Sequence, residues 1–579
     1  MTAELVQRAL TAPTFVAVRR RVLRQLLEAL LYEDAVRVRS DGDGTSIIDG
    51  VDERGETVRY VFAARRRHTF GRIAVGPGPV RRRAGDDDRE ARSVVRFLDE
   101  VRDALDAQPE QLARFAHELE QTLVKDALAQ HARGADALAG AGYDALEGAI
   151  TDGHRYHPTY KSRLGFDVAD NLAYGPEFAR PVRPLWLAAR RSVADVALSA
   201  GLDEESFLRE QLGAATLARF GAAEGFTLVP VHPWQWRGRV ASAFAEHLAA
   251  GDLLVLGEDP HTFTAQQSIR TLACTDAPQR PYLKLALSIV TTSTSRVLAP
   301  HTVRNAPLVS DWLARLVAAD PFLRDELRTV LLGEVMGTAV SPPPAADGYG
   351  ALACIWRESL HPRLDPGERA VPFNGLTARE RDGTPLVDGW VRALGLARWL
   401  ALVVEASALP VLHLLCRHGV ALEAHAQNMV LLHREGVPTR VALRDFHDGV
   451  RFSRAALAEP ELCPQLTPTP AHHANRNSFL ETDDLGLVAD FLLDAFLFVS
   501  LGELAIFLAD AYDLDERRFW AIVDETIAAY QRRFPELADR FALFDVRKPA
   551  IAVEKLASRR LLPDTGLRLH AAPNPLARR

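Results

Sequence analysis

Two short polar segments stand at the two ends of a predicted β-hairpin, and they restrict what this part of the chain can form. The first is Glu423-Ala-His-Ala-Gln-Asn428 and the second is Leu443-Arg-Asp-Phe-His447. Between them run two β-rich stretches, 429–432 and 439–443, joined by a turn that contains Gly436 and Pro438. An antiparallel hairpin brings the residues at its open end side by side.

The side chains of the first polar segment share one face if the segment is extended, because a strand alternates its side chains. Glu423, His425 and Gln427 are therefore predicted to point the same way. Asn428 and Asp445 are predicted to meet at the open end, where an amide oxygen and a carboxylate suit Mg²⁺ and, with it, a triphosphate. A polar hairpin edge with a capping aspartate explains the same residues, so this segment alone leaves both interpretations open.

Length and charge exclude some classes of protein. A chain of 579 residues exceeds what one core normally serves, so we expect two or three packed units with deep clefts. The formal net charge of −7 argues against nucleic acid as a partner, because phosphate binding requires a basic surface. The short basic run 81–83 is soon followed by the acidic run 86–88, which predicts a solvated charged loop.

Cysteine spacing and apolar patterning indicate the compartment. The four cysteines form no CxxC pair, so neither a zinc knuckle nor an iron–sulfur site is supported, and free thiols fit a reducing cytosol. Residues 14–31 predict an Arg-rich amphipathic helix rather than an apolar signal segment. The most apolar stretch, 485–508, contains Asp490, Asp494 and Glu503, which predicts a buried helix and not a membrane span. We therefore expect a cytoplasmic protein with no membrane partner.

Periodicity and breaks predict an α+β chain in three units. Residues 1–142 combine helices with a small β meander, 143–345 contain most strand-like segments, and 346–579 are mainly helical with the hairpin inserted. The predicted helices are 14–32, 90–105, 109–131, 391–409, 411–417, 485–512 and 516–533, with Pro410 as a break. The predicted strands of the meander are 35–38, 57–63 and 72–75, followed by a loop at 76–88.

Two further polar segments contain imidazoles. In the segment 154–163, His154, His157, Lys161 and two arginines place two imidazoles and three cations within ten positions, a density that predicts an anion partner. The second segment is His-Pro-Trp-Gln-Trp at 232–236, where proline restrains the histidine to extended geometry and the indoles favour packing. We interpret this second segment as a structural aromatic turn.

Two more segments carry hydroxyls with cations. Ser268, Arg270 and Thr271 form a natural phosphate clamp, because arginine offers a bidentate fork and the hydroxyls add neutral donors. Lys284 is predicted to share one strand face with Ala286, Ser288 and Val290. A run of hydroxyls that includes Thr292, and then Arg296, follows the end of this strand.

Together these motifs resemble the IucA/IucC family of siderophore synthetases, which work without a nonribosomal peptide synthetase. The matching motifs are HxxHPxxKxRxG at 154–165, HPWQ at 232–235, SxRT at 268–271, the segment 284–296, ExHxQN at 423–428 and RDF with a following glycine at 444–449. One departure is Arg155, where many relatives have proline. The resemblance implies a thumb, fingers and palm architecture over the three units, a helical palm that contains the hairpin, and a homodimer.

The resemblance also implies a reaction. Family members activate a carboxylate of citrate or a related acid with ATP and Mg²⁺, release pyrophosphate, and join the acyl adenylate to an amine or a hydroxyl. It assigns the β- and γ-phosphates to the clamp, charge neutralisation to Lys284, nucleotide orientation to Gln427 and Mg²⁺ to Asn428 with Asp445.

The same resemblance assigns the carboxylate substrate to four side chains, which are His157, Lys161, Thr292 and Arg296. It places Glu423 and His425 between this acid and the α-phosphate, where His425 also contacts ATP and suits stabilisation of the pentacoordinate phosphorus or a later oxyanion. Arg270, Lys284, Glu423 and His425 are the expected catalytic residues. The base that deprotonates the amine is either a side chain such as Glu423 or water.

Two rival classes and several substrates stay open. The order of Asn428 before Asp445-Phe446 also resembles the metal-binding half of protein-kinase-like small-molecule phosphotransferases. The N-terminal unit shows no glycine-rich loop before a strand lysine, which argues against them. A non-catalytic carboxylate- or ferric-siderophore-binding protein would need no phosphate clamp. The acid is citrate, a citrate monoamide or a succinyl derivative, and the nucleophile is a polyamine, an amino acid or a hydroxamate-type amine.

Overall fold

A computed structural model of the chain describes most of its length. The described residues are 2–41, 44–133, 138–151, 154–220, 224–291, 295–342, 348–473, 478–563, 566 and 568–577. Within them, helices and mainly antiparallel strands alternate along the whole chain, which agrees with the predicted mixture of α and β structure. The division into thumb, fingers and palm, and the boundaries near 142 and 345, stay predictions.

Helices occur along the whole of the described chain. The helices of seven or more residues are Thr2–Thr11, Pro13–Tyr32, Val94–Glu100, Pro109–Ala132, Tyr143–Ala149, Val168–Tyr174, Glu204–Leu212, Ala214–Phe220, Pro300–Ala319, Asp388–Leu394, Leu396–His413, Leu485–Leu492, Gly502–Tyr512 and Glu516–Arg533. The shorter ones are Pro233–Gln235, Ala241–Ala243, Ala245–Ala249, Ala538–Leu543 and Leu556–Leu561. Four wider π-type turns are Trp236–Val240, Phe322–Glu326, Leu414–His418 and Leu493–Leu501.

The N-terminal helices pack on a twisted meander. Its strands are Arg39–Ser40, Thr45–Val51, Thr57–Arg66, Ile73–Val75, Arg81–Ala84 and Asp87–Glu90. The predicted strand at 35–38 is wrong, because only Val36 forms an isolated bridge there. The predicted helix at 90–105 begins later, at Val94, because the Ser93 hydroxyl caps it by accepting a hydrogen bond from the Arg96 N–H.

The predicted charged loop at 76–88 is also wrong, since part of it forms a β-hairpin. Arg82 points inward and donates two hydrogen bonds of 2.7 Å to the buried carboxylate of Glu100. Arg81 and Arg83 lie on the opposite face and both contact Asp88 of the partner strand. Opposite charges across neighbouring strands therefore stabilise a strand where composition alone indicated a loop.

Further sheets are formed by strands after residue 184. One six-stranded sheet runs, in spatial order, through Phe263–Ala265, Thr271–Cys274, Tyr282–Leu285, Leu352–Arg357, Glu334–Val340 and Ala194–Leu198. A three-stranded sheet contains Leu253–Glu258, Leu185–Arg190 and Phe226–Val231, and two-stranded pairs are formed by Leu287–Val290 with Ser295–Arg296, Val420–Leu422 with Val450–Phe452, and Ala550–Glu554 with Leu569–Pro573.

The predicted single strand through Lys284 and Ser288 is divided between two sheets. Lys284 pairs with Thr271 and Ile355 in the six-stranded sheet. After Ala286, the chain pairs instead with Ser295–Arg296, so Lys284 and Ser288 do not share one continuous face. The division brings Arg296 back toward Lys284.

Two apolar helical segments fill the C-terminal part. Pro410 lies inside the helix Leu396–His413 instead of ending it. It lies in the last turn, four residues before the wider turn Leu414–His418 begins, and burial of the surrounding helix outweighs the lost hydrogen bond. The two segments, residues 396–418 and 485–512, are long and apolar enough to cross a membrane. Within the most apolar 18 residues of each, however, 83% and 72% respectively are buried inside the protein.

A four-stranded sheet contains the hairpin that the sequence predicts. Its strands are Val330–Leu331, Val437–Leu443, Met429–Arg434 and Arg369–Pro372, and the hairpin is formed by the two middle strands. Glu435 and Gly436 form the two-residue turn with φ of 51° and 85°, as a type I′ hairpin turn requires. Pro438, predicted to belong to the turn, lies in the second strand opposite His433 at a register shift.

We expect Gly436→Ala to destabilise the protein more than an ordinary glycine substitution at positive φ. A Cβ at Gly436 would overlap the indole of Trp390, whereas Gly383, with φ of 90°, has no heavy atom within 4 Å of such a Cβ. Overpacking of this kind costs about 1 to 3 kcal/mol in unfolding free energy. Denaturant unfolding of Gly436→Ala and of the control Gly383→Ala measures the difference, and equal losses would show that the Trp390 contact is unimportant.

Candidate active site

One cleft of about 530 Å³ collects most of the predicted site residues. The eleven that line it are His157, Lys161, Ser268, Arg270, Lys284, Arg296, Glu423, His425, Gln427, Asn428 and Asp445. Thr271 does not line the cleft, and Thr292 lies outside the described residues. Segments that are far apart in sequence therefore converge, although their roles stay predictions.

The clamp segment forms a tight turn that presents Arg270. The Ser268 hydroxyl lies 2.8 Å from the Thr271 hydroxyl and accepts the Thr271 N–H at 3.2 Å. Thr271 is buried, so its hydroxyl holds Ser268 rather than facing the cleft. The Arg270 guanidinium donates to the carbonyls of Arg296 and Val297, at 3.1 and 2.8 Å. Its Nε is buried and has no hydrogen-bond partner among the described residues, which leaves a donor for an anion.

A buried ion network links the clamp side of the cleft to the hairpin. The Asp445 Oδ1 atom lies 3.0 Å from the Lys284 ammonium and 2.6 Å from an Arg357 Nη atom. Arg357 also donates to Gln266 Oε1 at 2.8 Å. Burial would raise the pKa of Asp445, but the charges of Lys284 and Arg357 hold it well below its usual range. Asp445 is therefore an ionised carboxylate at neutral pH.

The open end of the hairpin is fixed by the backbone. The Arg444 N–H donates to the Asn428 carbonyl at 3.1 Å, so Asn428 and Asp445 lie at the same end, as predicted. The Asn428 side-chain amide donates to the Glu423 carbonyl, which leaves its oxygen available. Both cations that contact Asp445 use Oδ1 and leave Oδ2 available. These oxygens fit a hard cation such as Mg²⁺.

The polar loop, residues 423–428, is not extended, so its predicted strand face is wrong. The strand ends at Leu422, and the Asn428 N–H donates to the His425 carbonyl at 2.8 Å to close a turn. The Gln427 N–H donates to His425 Nδ1 at 3.2 Å. These local hydrogen bonds compete with strand pairing. The turn still directs Glu423, His425 and Gln427 into the cleft.

The residues predicted to bind the carboxylate substrate differ in how much of their charge is already balanced. The Lys161 ammonium donates to the Thr151 carbonyl and lies 3.4 and 3.7 Å from the carboxylates of Asp126 and Glu177. Arg296 donates through Nε to the Thr291 hydroxyl at 2.6 Å. Burial, with the nearby Arg270 charge, lowers the pKa of Arg296 to about 10. Arg296 is thus a better anion ligand than Lys161.

His157 and His154 line the same end of the cleft. His157 Nδ1 lies 3.1 Å from the Thr159 hydroxyl, and the His154 and His157 ring centroids are 6.0 Å apart. Arg155, the residue at which this sequence departs from the family motif, also lines the cleft. Its guanidinium donates a hydrogen bond to the Thr377 carbonyl at 2.8 Å. An arginine at this position therefore adds a cation to the lining of the cleft.

Four carboxylates, Glu423, Asp448, Asp494 and Glu554, form an acidic wall of the cleft. Burial and the Asp448 charge raise the pKa of Glu423 to about 7. Burial and the Glu554 charge raise the pKa of Asp494 to about 8. Arg559 lies 2.8 Å from Glu554. The wall faces the cleft with groups that change charge near neutral pH.

His425 carries no charge in this setting. Burial and the His154 imidazole lower its pKa to about 4, so it is neutral at pH 7. Burial also lowers the pKa of Lys284 and of Arg270, although Asp445 opposes this effect in both. A bound polyanion would favour the charged forms of all three groups.

Sequence reasoning missed the residues that support these groups. Arg357 occupies the strand next to that of Lys284, and Glu334 occupies the strand after that one in the sheet. Glu334 Oε1 lies 2.7 Å from His447 Nδ1 and 3.9 Å from the Lys284 ammonium. No local motif marks them. Asp494 was visible only as a charge inside an apolar helix, and Asp448 as a neighbour of the RDF segment.

The His232 segment supports the site without lining it. His232 Nδ1 accepts the Trp234 N–H at 3.1 Å, and Trp234 Nε1 donates to Asp170 at 2.9 Å. The Gln235 amide exchanges hydrogen bonds of 2.9 and 2.7 Å with the hydroxyl and N–H of Ser288. These contacts fit the predicted structural turn, which anchors the strand that leads to Arg296.

Comparison with known proteins identifies the family. Residues 142–378 match the IucA / IucC family, and residues 397–569 match a family described as ferric iron reductase FhuF-like transporter. The chain is 40% identical over 99% of its length to citryl-spermidine/3,4-dihydroxybenzoyl-citryl-spermidine:spermidine ligase of Bacillus anthracis, 95% of which is covered. It is 41% identical over 96% of its length to a carbamoyl-substituted 2-hydroxypropanoate synthase of Staphylococcus aureus, 92% of which is covered.

A solved structure agrees over the same length. The petrobactin biosynthesis protein AsbB of Bacillus anthracis superposes with a TM-score of 0.94 at 40% identity, over 100% of this chain and 98% of that one. The chain therefore belongs to the IucA/IucC family of siderophore synthetases, which work without a nonribosomal peptide synthetase. This membership confirms the resemblance that the motifs indicated.

We expect Arg357→Ala to cost far more stability than loss of a surface ion pair. Arg357 is 1% exposed, and its removal would leave the Asp445 carboxylate short of a cation. Breaking a buried pair from one side costs about 3 to 5 kcal/mol.

The matched control is Arg328→Ala, which removes a 2.8 Å pair with Asp365 whose side chains are 48% and 28% exposed. Such a pair contributes at most about 1 kcal/mol. Denaturant unfolding of both variants measures the difference. Equal losses would mean that Arg357 does not sustain the charge on Asp445.

Proposed function

We propose that the protein is an ATP-dependent ligase that adenylates a carboxylate of citrate or a citrate derivative and transfers the acyl group to an amine. The observation that carries the proposal is one cleft that is lined by both cations and carboxylates. Arg270, Lys284 and Arg296 supply the cations, and the acidic wall supplies the carboxylates. An anionic acid and a triphosphate suit the cations, and a cationic amine suits the carboxylates.

The first step transfers the adenylyl group. A carboxylate oxygen of the acid attacks the α-phosphorus of ATP, and the bond to pyrophosphate breaks. Two unit charges roughly 4 Å apart repel by about 4 kcal/mol at an effective dielectric of about 20, so cations must cover the approach. Arg270, Lys284 and Arg296 line the cleft; the first two would hold the phosphates, and Arg296 would bind the acid. Asn428 and Asp445 would hold Mg²⁺, which supplies positive charge to the phosphates when bound.

The second step forms the amide. The amine nitrogen attacks the acyl carbon, the bond to AMP breaks, and the proton leaves the nitrogen. Free alkyl amines have a pKa near about 10.4 and arrive protonated. The acidic wall attracts this cation, and a Glu423 carboxyl with a pKa of about 7 suits acceptance of the proton. A neutral His425 can donate a hydrogen bond to the developing oxyanion.

Relatives support the substrate class. The Bacillus anthracis relative is named for citryl-spermidine and spermidine, which supports a citrate-derived acid and a polyamine here. Asp494 and Glu554 suit the second ammonium of a polyamine, because they lie on the same wall as Glu423. The protein-kinase-like alternative predicts ADP as the product and provides no use for the acidic wall.

Arg270→Ala and Lys284→Ala should each lower acid-dependent pyrophosphate release about 100-fold or more, because each removes a donor to developing phosphate charge. The measurement is release of AMP and pyrophosphate with citrate and spermidine as probes. The control is Arg304→Ala, which removes an exposed arginine paired with Asp195. Near-normal release by either variant would contradict the clamp assignment, and ADP as the product would contradict the ligase.

Glu423→Gln should slow amide formation more than pyrophosphate release and should flatten its pH dependence. The basic form is the carboxylate, so the contribution of Glu423 rises as pH increases through its pKa of about 7. The free-amine fraction rises with pH in both proteins, so the ratio of their amide rates isolates Glu423. The measurement covers pH from about 6 to about 8.

Asp494→Asn is the matched control for this experiment, because it removes a carboxyl from the same wall. It should raise the apparent KM for the amine and leave the pH dependence of the amide rate in place. If Glu423→Gln keeps the full pH dependence of the unmodified protein, water and not Glu423 accepts the proton.

A further inference from the structure

Three buried side chains converge in the helical C-terminal part, and none of them lines the cleft. They are Asp320, His413 and His418, and one potential ligand atom from each lies within 4.8 Å of the others. Asp320 Oδ2 is 2.9 Å from His413 Nε2 and 3.2 Å from His418 Nε2. The exposed fractions of Asp320, His413 and His418 are 9%, 2% and 4%. Two imidazoles therefore point one nitrogen each at a single carboxylate oxygen.

Local structure fixes each member of this cluster. Asp320 follows the helix Pro300–Ala319, and its Oδ1 atom accepts the N–H groups of Phe322 and Leu323 at 2.9 and 3.0 Å. This capping leaves Oδ2 for the histidines. His413 ends the helix Leu396–His413, and His418 ends the wider turn that follows it.

The second ring nitrogen of each histidine is also held by oxygen. His413 Nδ1 lies 2.9 Å from the Tyr530 hydroxyl, and His418 Nδ1 lies 3.1 Å from Glu459 Oε2. If Glu459 accepts a hydrogen bond from Nδ1–H of a neutral His418 ring, the lone pair of His418 Nε2 faces Asp320. A lone pair that faces a carboxylate is repelled unless a proton or a cation lies between them. Metal-binding histidines commonly have such an oxygen behind the ring.

We propose that Asp320 Oδ2, His413 Nε2 and His418 Nε2 bind one divalent transition-metal cation of the Zn²⁺ class. Two imidazoles with one carboxylate suit Zn²⁺ and not Mg²⁺ or Ca²⁺, which require mainly oxygen ligands. Apolar rings cover the cluster. The ring centroids of Phe322 and Phe534 lie 4.9 and 5.1 Å from the centroid of the His413 ring. Such a shell favours a fixed structural ion.

The cation would brace the segment that enters the candidate active site. His418 is followed by Gly419 and then by the strand Val420–Leu422, which leads directly into the polar loop at Glu423. Asp320 reaches the same point from the end of a different helix. A bound ion would tie these elements together without touching ATP or either substrate. Its loss should therefore lower stability before it changes the reaction.

The test is the metal content of the full-length protein, with Zn²⁺ and Co²⁺ as probes. After incubation with Zn²⁺ and removal of free metal, mass spectrometry should find about one ion per chain. Co²⁺ substitution should give visible d–d absorption, and a strong chelator should lower the melting temperature. His418→Gln and His413→Gln should lose the ion and the absorption, whereas Asp445→Asn should keep both, which separates this site from the cleft.

The control variant is His361→Gln, which removes a single His–Asp pair of 2.6 Å between His361 and Asp144. It should keep the full metal content. If the unmodified protein binds no Zn²⁺ or Co²⁺ above background, the cluster is a hydrogen-bonded ion network and the proposal is wrong. The same conclusion follows if His418→Gln and His413→Gln fold but keep the full content, because the ion then lies elsewhere. This experiment needs no substrate, so its outcome is independent of the proposed ligase activity.

Discussion

The buried carboxylate of Asp445 is the interaction on which the rest of the cleft depends. It ends the hairpin, and its Oδ1 atom contacts two cations, Lys284 and Arg357, that come from neighbouring strands of another sheet. A buried lysine without this carboxylate would lose its proton, and a buried carboxylate without these cations would gain one. The contact therefore keeps opposite charges available inside the protein and holds two sheets in register with each other.

Three other groups that line the cleft lack such a compensating contact, and burial disfavours their charged forms. It lowers the pKa of His425 to about 4 and raises the pKa of Glu423 to about 7 and of Asp494 to about 8. Without ligands, these three groups thus carry less charge than they would in water. Under the proposed function, a triphosphate would favour protonation near the clamp and a polyamine would favour ionisation of Glu423 and Asp494, so each would develop the charge that its own binding needs.

The sequence predicted the features that local signals mark. A glycine turn between alternating strands marked the hairpin, and dense polar segments marked the residues that line the cleft. Prediction from the sequence failed where contacts with residues distant in the chain decide the local structure. Arg82 became part of a strand because Glu100 neutralises it, Pro410 stayed inside a helix because its surroundings are buried, and Arg357 entered the site through the pairing of its strand with that of Lys284. No window of sequence contains such pairings.

The polar loop shows why a wrong local prediction can still place the right side chains. The expectation of a shared strand face rested on alternation, but a turn closed by Asn428 and His425 replaced the strand. Glu423, His425 and Gln427 all face the cleft nonetheless, because the strands before and after the loop are fixed by pairing with Val450–Phe452 and within the hairpin. Since both ends of the loop are anchored, six residues have few ways to cross the mouth of the hairpin, and polar side chains turn toward the polar cleft. Anchoring at the ends therefore constrains the site more strongly than the local backbone conformation does.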